Sequence, residues 1–189
     1  FNERPVVIYG TSITHGKAPA HPAITWANIV HRRIDHPIRN FGIAGEAMME
    51  NATVSLVLET EPIAIIYDCL PNLCRQPLNT QIERQVNAVQ LTRRIYPDVP
   101  IIMIDFACYI NWEVNSEYNG YTVNAHQAYR QTKDKLLNEL HITNIEFIPK
   151  EELNYSINDF SDEIHPTEVG MAKHASVVLP RLYKILDNP

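Results

Sequence analysis

The sequence is sparing in several things, and each shortage closes off a class of protein. Nowhere in its 189 residues does an apolar run approach the roughly 20 residues of a membrane-spanning helix. Positive charge is scarce: 16 Lys and Arg stand against 22 Asp and Glu, for a net charge of −6. The longest basic stretches are the pairs Arg32-Arg33 and Arg93-Arg94. They read as solvated helix surface, and nucleic-acid binding has no electrostatic support. Cysteine is limited to Cys69, Cys74 and Cys108, without zinc-type spacing. Cys69 and Cys74 are near enough in sequence to bridge. Buried or loop thiols are the simpler reading, and cysteine usage leaves the compartment open. The eight histidines contain no His-Glu-x-x-His or other metal spacing, so neither a metal nor a cofactor is implied. Gly-x-Ser-x-Gly is missing as well, which excludes the usual α/β-hydrolase elbow. There is no repeat, low-complexity tract or linker.

What remains is an ordinary globular composition, 45% hydrophobic and 20% charged, at a length suited to one domain over residues 1–189. Runs rich in Val and Ile occur at Pro5–Tyr9, Pro37–Phe41, Ile63–Tyr67, Ile101–Phe106 and Asn144–Ile148. They are apolar throughout rather than alternating, as in strands buried on both faces of a parallel sheet. Amphipathic stretches fall between them, at about 22–35, 48–60, 79–96 and 122–141. A final helix is expected from Pro166 to Leu186, with the proline in its first turn. Strands alternating with helices predict a three-layer α/β/α domain.

In such folds, sites form beyond the carboxyl ends of the strands. Ser12 follows the first strand, Gly42 to Gly45 the second, and Asp68 to Asn72 the third; Asp162 and His165 follow the fifth. A serine hydroxyl attacks poorly until a base takes its proton. An acid three residues before a histidine can fix the ring's tautomer and leave the other nitrogen facing a serine. Gly10 permits a sharp turn before Ser12, and Gly16 relaxes the segment after it. Asn40-Phe41-Gly42-Ile43-Ala44-Gly45 offers backbone N–H groups for a developing oxyanion, and Leu70-Pro71-Asn72 offers a side-chain amide. Each fragment also has a plain structural use. Ser12 and Asn72 suit turns, and Asp162 suits a cap on the last helix.

Gly10-Thr11-Ser12-Ile13, then Gly45, then Asn72, then Asp162-x-x-His165 resembles the SGNH (GDSL-type) hydrolase superfamily over about residues 5–185. The resemblance implies a flavodoxin-like fold with five parallel strands in order 2-1-3-4-5. It implies Ser12 as nucleophile, His165 as base and acid, and Asp162 as its orienter. Ser12, Gly45 and Asn72 would form the oxyanion hole. Two departures, Thr11 for the usual Asp and Asp68-Cys69-Leu70-Pro71-Asn72 for Gly-x-Asn-Asp, resemble one bacterial subgroup of carbohydrate-esterase type. That subgroup often carries an N-terminal β-sandwich. The chain, which begins at Phe1, is accordingly expected to be the C-terminal part of a longer, secreted or periplasmic protein.

The expected activity is a serine esterase working through an acyl-enzyme, with an acetylated carbohydrate as substrate. A lipid or lysophospholipid acyl hydrolase is the alternative among enzymes. A silent carbohydrate-binding accessory module is the alternative of another class. His15, Tyr109 and Trp112 are candidate substrate contacts. For His15 a solvated loop position is the plain reading, and for the two aromatics it is loop packing. The partner is a small-molecule or polysaccharide ester; no nucleic acid and no membrane span are expected.

Overall fold

The computed structural model describes residues 3–187; Phe1, which bears on the expected upstream part, lies outside them. Five parallel strands form one sheet: β1 (Val6–Gly10), β2 (Ile38–Gly42), β3 (Ala64–Asp68), β4 (Ile101–Ile104) and β5 (Ile145–Ile148), in the order β2-β1-β3-β4-β5. Register places Gly10 beside Gly42 on one side and beside Asp68 on the other. Ile104 lies level with Ile148. All strands therefore end on one edge, and the segments that leave them meet there.

The strands alternate in what they bury. Val7, Tyr9, Ile65, Tyr67 and Met103 face one core, covered by α3 (Asn51–Leu58), α5 (Leu78–Ile95) and α6 (Ser116–Asp134). Val6, Ile8, Ile66, Ile102 and Ile104 face the other, beneath α2 (Trp26–His31), α7 (Lys150–Leu153) and α8 (Glu168–Leu186). β1, β3 and β4 are buried on both faces, as their continuous apolar runs predict. β2 and β5 lie at the sheet edges and are only partly buried, which accommodates Arg39 and Glu146. Among the described residues no helix is long and apolar enough to cross a membrane.

Several expected boundaries move for local reasons. The first helical stretch splits into a 3₁₀ turn at Pro22–Ile24 and α2, with Thr25 extended between them. The helix expected at 122–141 starts at Ser116, because the Asn115 side chain accepts hydrogen bonds from the N–H groups of Glu117 and Tyr118. Its far end widens into a π turn at Lys135–Glu139. Pro166 is not in the first turn of α8. It bridges to Phe160, and Thr167 caps the helix by accepting from the Gly170 N–H.

Candidate active site

β1 runs into the short helix α1 (Ser12–His15), so Ser12 stands just beyond the end of an inner strand of the sheet. Thr11 caps this turn: its hydroxyl accepts from the Ile13 N–H at 3.3 Å. A threonine oxygen does here what the aspartate usual at that position can also do. Gly10 keeps ordinary strand geometry, and what it provides is space. A Cβ there would fall 2.1 Å from Thr14 Oγ1 and 3.0 Å from the Asp68 carbonyl.

The loop before α8 brings the histidine to the serine. His165 Nε2 lies 2.9 Å from Ser12 Oγ across 153 residues of sequence. Its Nδ1 lies 2.7 Å from Asp162 Oδ2 and 2.9 Å from Oδ1. A carboxylate can only accept, so Nδ1 carries the proton and the Ser12 hydroxyl donates to Nε2. Asp162 Oδ1 also accepts from the backbone N–H groups of Ile164 and His165, at 2.9 and 2.8 Å. Burial works to raise the pKa of Asp162. These N–H bonds and the imidazole outweigh it and hold the carboxyl below the usual carboxylate range. Asp162 thus caps its own loop rather than α8. Ser161 donates from both its N–H and its Oγ to the His165 carbonyl, at 2.8 and 3.0 Å, and closes the turn. Ser12 and His165 are buried, while the Asp162 side chain is 43% exposed, so one end of the hydrogen-bond chain meets solvent.

Two further segments approach from the neighbouring strands. Gly45 sits in the turn after β2 with φ +82°, a conformation that side chains strain against, although a Cβ there would meet nothing. Glycine is thus required by the backbone, which turns an exposed N–H-bearing loop past the strand end. Asn72 belongs to α4 (Leu70–Leu73), and its Oδ1 accepts from the Ala47 N–H at 3.1 Å. That bond ties the loops after β2 and β3 together and fixes which way the amide turns, leaving its two N–H groups to donate elsewhere.

The candidate substrate contacts fall in different environments. His15 is exposed and its Nδ1 is bonded to the Gly42 carbonyl at 3.0 Å. Tyr109 is 2% exposed, its ring stacked on Tyr118 at 4.4 Å and edge-on to Phe106 at 5.3 Å. Trp112 remains half-buried, with the Lys150 ammonium 5.7 Å from its ring centre. Cys69 and Cys74 are separate buried thiols.

Beneath the site lies a polar group that local sequence does not announce. Thr14 Oγ1 donates to Asp68 Oδ2 at 2.7 Å, and His174 of α8 stands 3.9 Å from the same oxygen. His174 stacks on Trp26 at 4.7 Å and bonds Tyr155 through Nδ1 at 3.0 Å. Burial pushes Asp68 up to about 7, only partly opposed by Thr14, and pushes His174 down to about 3. A polar residue at a strand end and a histidine at a core position of a helix were the available signals; their meeting depends on the packing of α8.

The sheet order and the serine turn after its first strand define the class: a flavodoxin-like α/β/α domain with the hydrogen-bond arrangement of a serine hydrolase. The chain belongs to the GDSL-like lipase/acylhydrolase family, whose pattern matches residues 3–183. No curated protein sequence matches it. Among solved structures it is similar to a protein from Bacteroides ovatus ATCC 8483 described as a GDSL-like lipase. The TM-score is 0.86 at 24% identity, over 99% of this chain and 54% of that one. It is similar also to the salicylyl-acyltransferase SsfX3 of a tetracycline biosynthetic pathway, with TM-score 0.81 at 16% identity, over 100% of this chain and 56% of that one. A two-domain esterase active on acetylated mannans gives a TM-score of 0.66 at 19% identity, over 96% of this chain and 50% of that one. The chain spans about half the length of each of these three proteins.

Proposed function

We propose that this chain is the catalytic domain of a serine esterase that removes acetyl groups from carbohydrate. The observation that carries the reading is the unbroken chain from Ser12 Oγ through His165 to Asp162. In the first half of the reaction Ser12 Oγ bonds to the ester carbonyl carbon while His165 Nε2 takes its proton. Asp162 holds the ring and stabilises the imidazolium. The carbonyl oxygen becomes an oxyanion that accepts from the N–H groups of Ser12 and Gly45 and from the Asn72 amide. As the carbon–alcohol bond breaks, the proton on Nε2 passes to the alcohol. Water then adds to the acyl-enzyme with His165 as base, and acetate leaves as Oγ recovers its proton.

Two points support an acetylated carbohydrate over a long-chain lipid. One fold neighbour acts on acetylated mannans. The segment that carries Trp112 is tied to the histidine loop by the Ile110 N–H, which donates to the Glu163 carbonyl, and the Trp112 ring is only half-buried.

Acetate release across acetylated mannan, xylan and pectin and simple acetylated sugars tests the reading, with p-nitrophenyl esters of increasing acyl length alongside. It predicts turnover of at least one acetylated carbohydrate and a steep fall in rate as the acyl chain lengthens. Preference for long acyl chains would transfer the assignment to lipid hydrolysis.

A further inference from the structure

Two cavities adjoin on the histidine side of the site. One, of 340 Å³, is lined by Ile110, Phe160 and the loop Ser161, Asp162 and Glu163. The other, of 260 Å³, shares Ile110 and Phe160 and continues past Trp112 to Ile157. Together they make a groove within the range of about 300–1,000 Å³ typical of small-molecule sites. It starts at Asp162, whose carboxylate orients His165, and passes along Ile110 and Phe160. Its walls are registered to the histidine loop, because the Ile110 N–H donates to the Glu163 carbonyl at 2.8 Å.

The direction of this groove matters for the chemistry. A leaving alcohol collects its proton from His165 Nε2, so its oxygen must lie on the histidine side of the bound ester. In the proposed mechanism Gly45 and Asn72 take the carbonyl oxygen and so fill the other side of the carbonyl. An alcohol whose body extends over the loop that carries Asp162 and His165 would meet the groove there. Its lining combines apolar and polar surface. Ile157 is 64% exposed, Trp112 is half-buried beneath Lys150, and Asn111 and Ser156 line the same cavity. An exposed aliphatic and an amphipathic ring beside hydrogen-bonding groups match the C–H faces and hydroxyls of a sugar.

We propose that this groove is the subsite for the alcohol half of the substrate, a sugar residue of the acetylated chain, with Trp112 as its platform and Ile157 as its outer wall. The proposal rests on the carbohydrate reading of the function and adds where the sugar lies.

It is tested by steady-state kinetics on two substrates: an acetylated oligosaccharide that the native protein turns over, and p-nitrophenyl acetate. In Trp112→Ala, the ratio of kcat/KM on the oligosaccharide to that on p-nitrophenyl acetate should fall by about tenfold or more, as for truncation of a central aromatic contact. The loss should appear in KM rather than kcat. Trp112→Phe should recover much of it. Ile157→Arg, on a different segment, should lower the same ratio by obstructing the groove, and it carries the test if Trp112→Ala fails to fold. An unchanged ratio in both variants would overturn the groove while leaving the carbohydrate reading intact. If the native protein hydrolyses p-nitrophenyl acetate but no acetylated carbohydrate, the carbohydrate reading fails and the groove assignment fails with it.

Discussion

Replacing Asp68 with asparagine should make the protein more stable relative to the native chain as pH rises. Asp68 ends β3 at 1% exposure and accepts one strong hydrogen bond, from Thr14 at 2.7 Å. The nearby His174 is held neutral by burial, down to about 3, so the carboxylate has no charged partner. Desolvation raises Asp68 from 3.8 to about 7. A folded value above the unfolded one means that the stability contributed below the unfolded value is lost as pH climbs through the folded one. Between about pH 5 and pH 8 the native protein should lose roughly 2–3 kcal/mol from this group alone. Asparagine has nearly the same shape, still accepts from Thr14 through Oδ1, and does not titrate. His174 acts in the opposite sense: its folded value is depressed, so its contribution is present above 6.5 and lost on acidification. It is common to both proteins and cancels in their difference. Thermal melts at the two pH values should show the Tm of Asp68→Asn, relative to native, rising by roughly 5–10 °C from the lower to the higher pH. A difference that does not change with pH would mean that Asp68 is ionised in the folded protein and paired with a charged His174, and the reasoning would be wrong.

Two other substitutions bear on the chemistry. If Asn72 donates to the oxyanion as proposed, Asn72→Ala should lower kcat on p-nitrophenyl acetate by about 100- to 1000-fold with little change in KM. Asp162→Asn can keep the two backbone bonds through its oxygen but presents an N–H₂ group to His165 Nδ1. That favours the tautomer with the proton on Nε2, facing Ser12, and kcat should fall by roughly 10³- to 10⁴-fold while the Tm changes little.

The parts of the fold that were legible are those whose burial is uniform. β1, β3 and β4 are continuous apolar runs because helices cover both their faces, and sheet order followed from the family resemblance rather than from any one strand. Helix ends were less legible because single side chains set them. Asn115 starts α6 ahead of its apolar stripe, and Gly120 inside it weakens the helical signal. Thr167, not Pro166, sets the start of α8. In the site, Asp162 and His165 were readable because three residues of spacing brings them together in one loop. Their approach to Ser12 was readable only through the rule that strand ends converge. The Asp68–His174 pair escaped notice because neither residue carries a local pattern, and only the packing of α8 under the sheet edge joins them.

The assignment of Ser12 as the nucleophile is tested most directly by covalent labelling with a fluorophosphonate followed by peptide mapping. The native protein should take up one label, on Ser12, in step with loss of activity on p-nitrophenyl acetate. Ser12→Ala should take up none while keeping the native Tm, and His165→Ala should label far more slowly. Inactivation with the label on another residue, or full esterase activity in Ser12→Ala, would contradict the assignment.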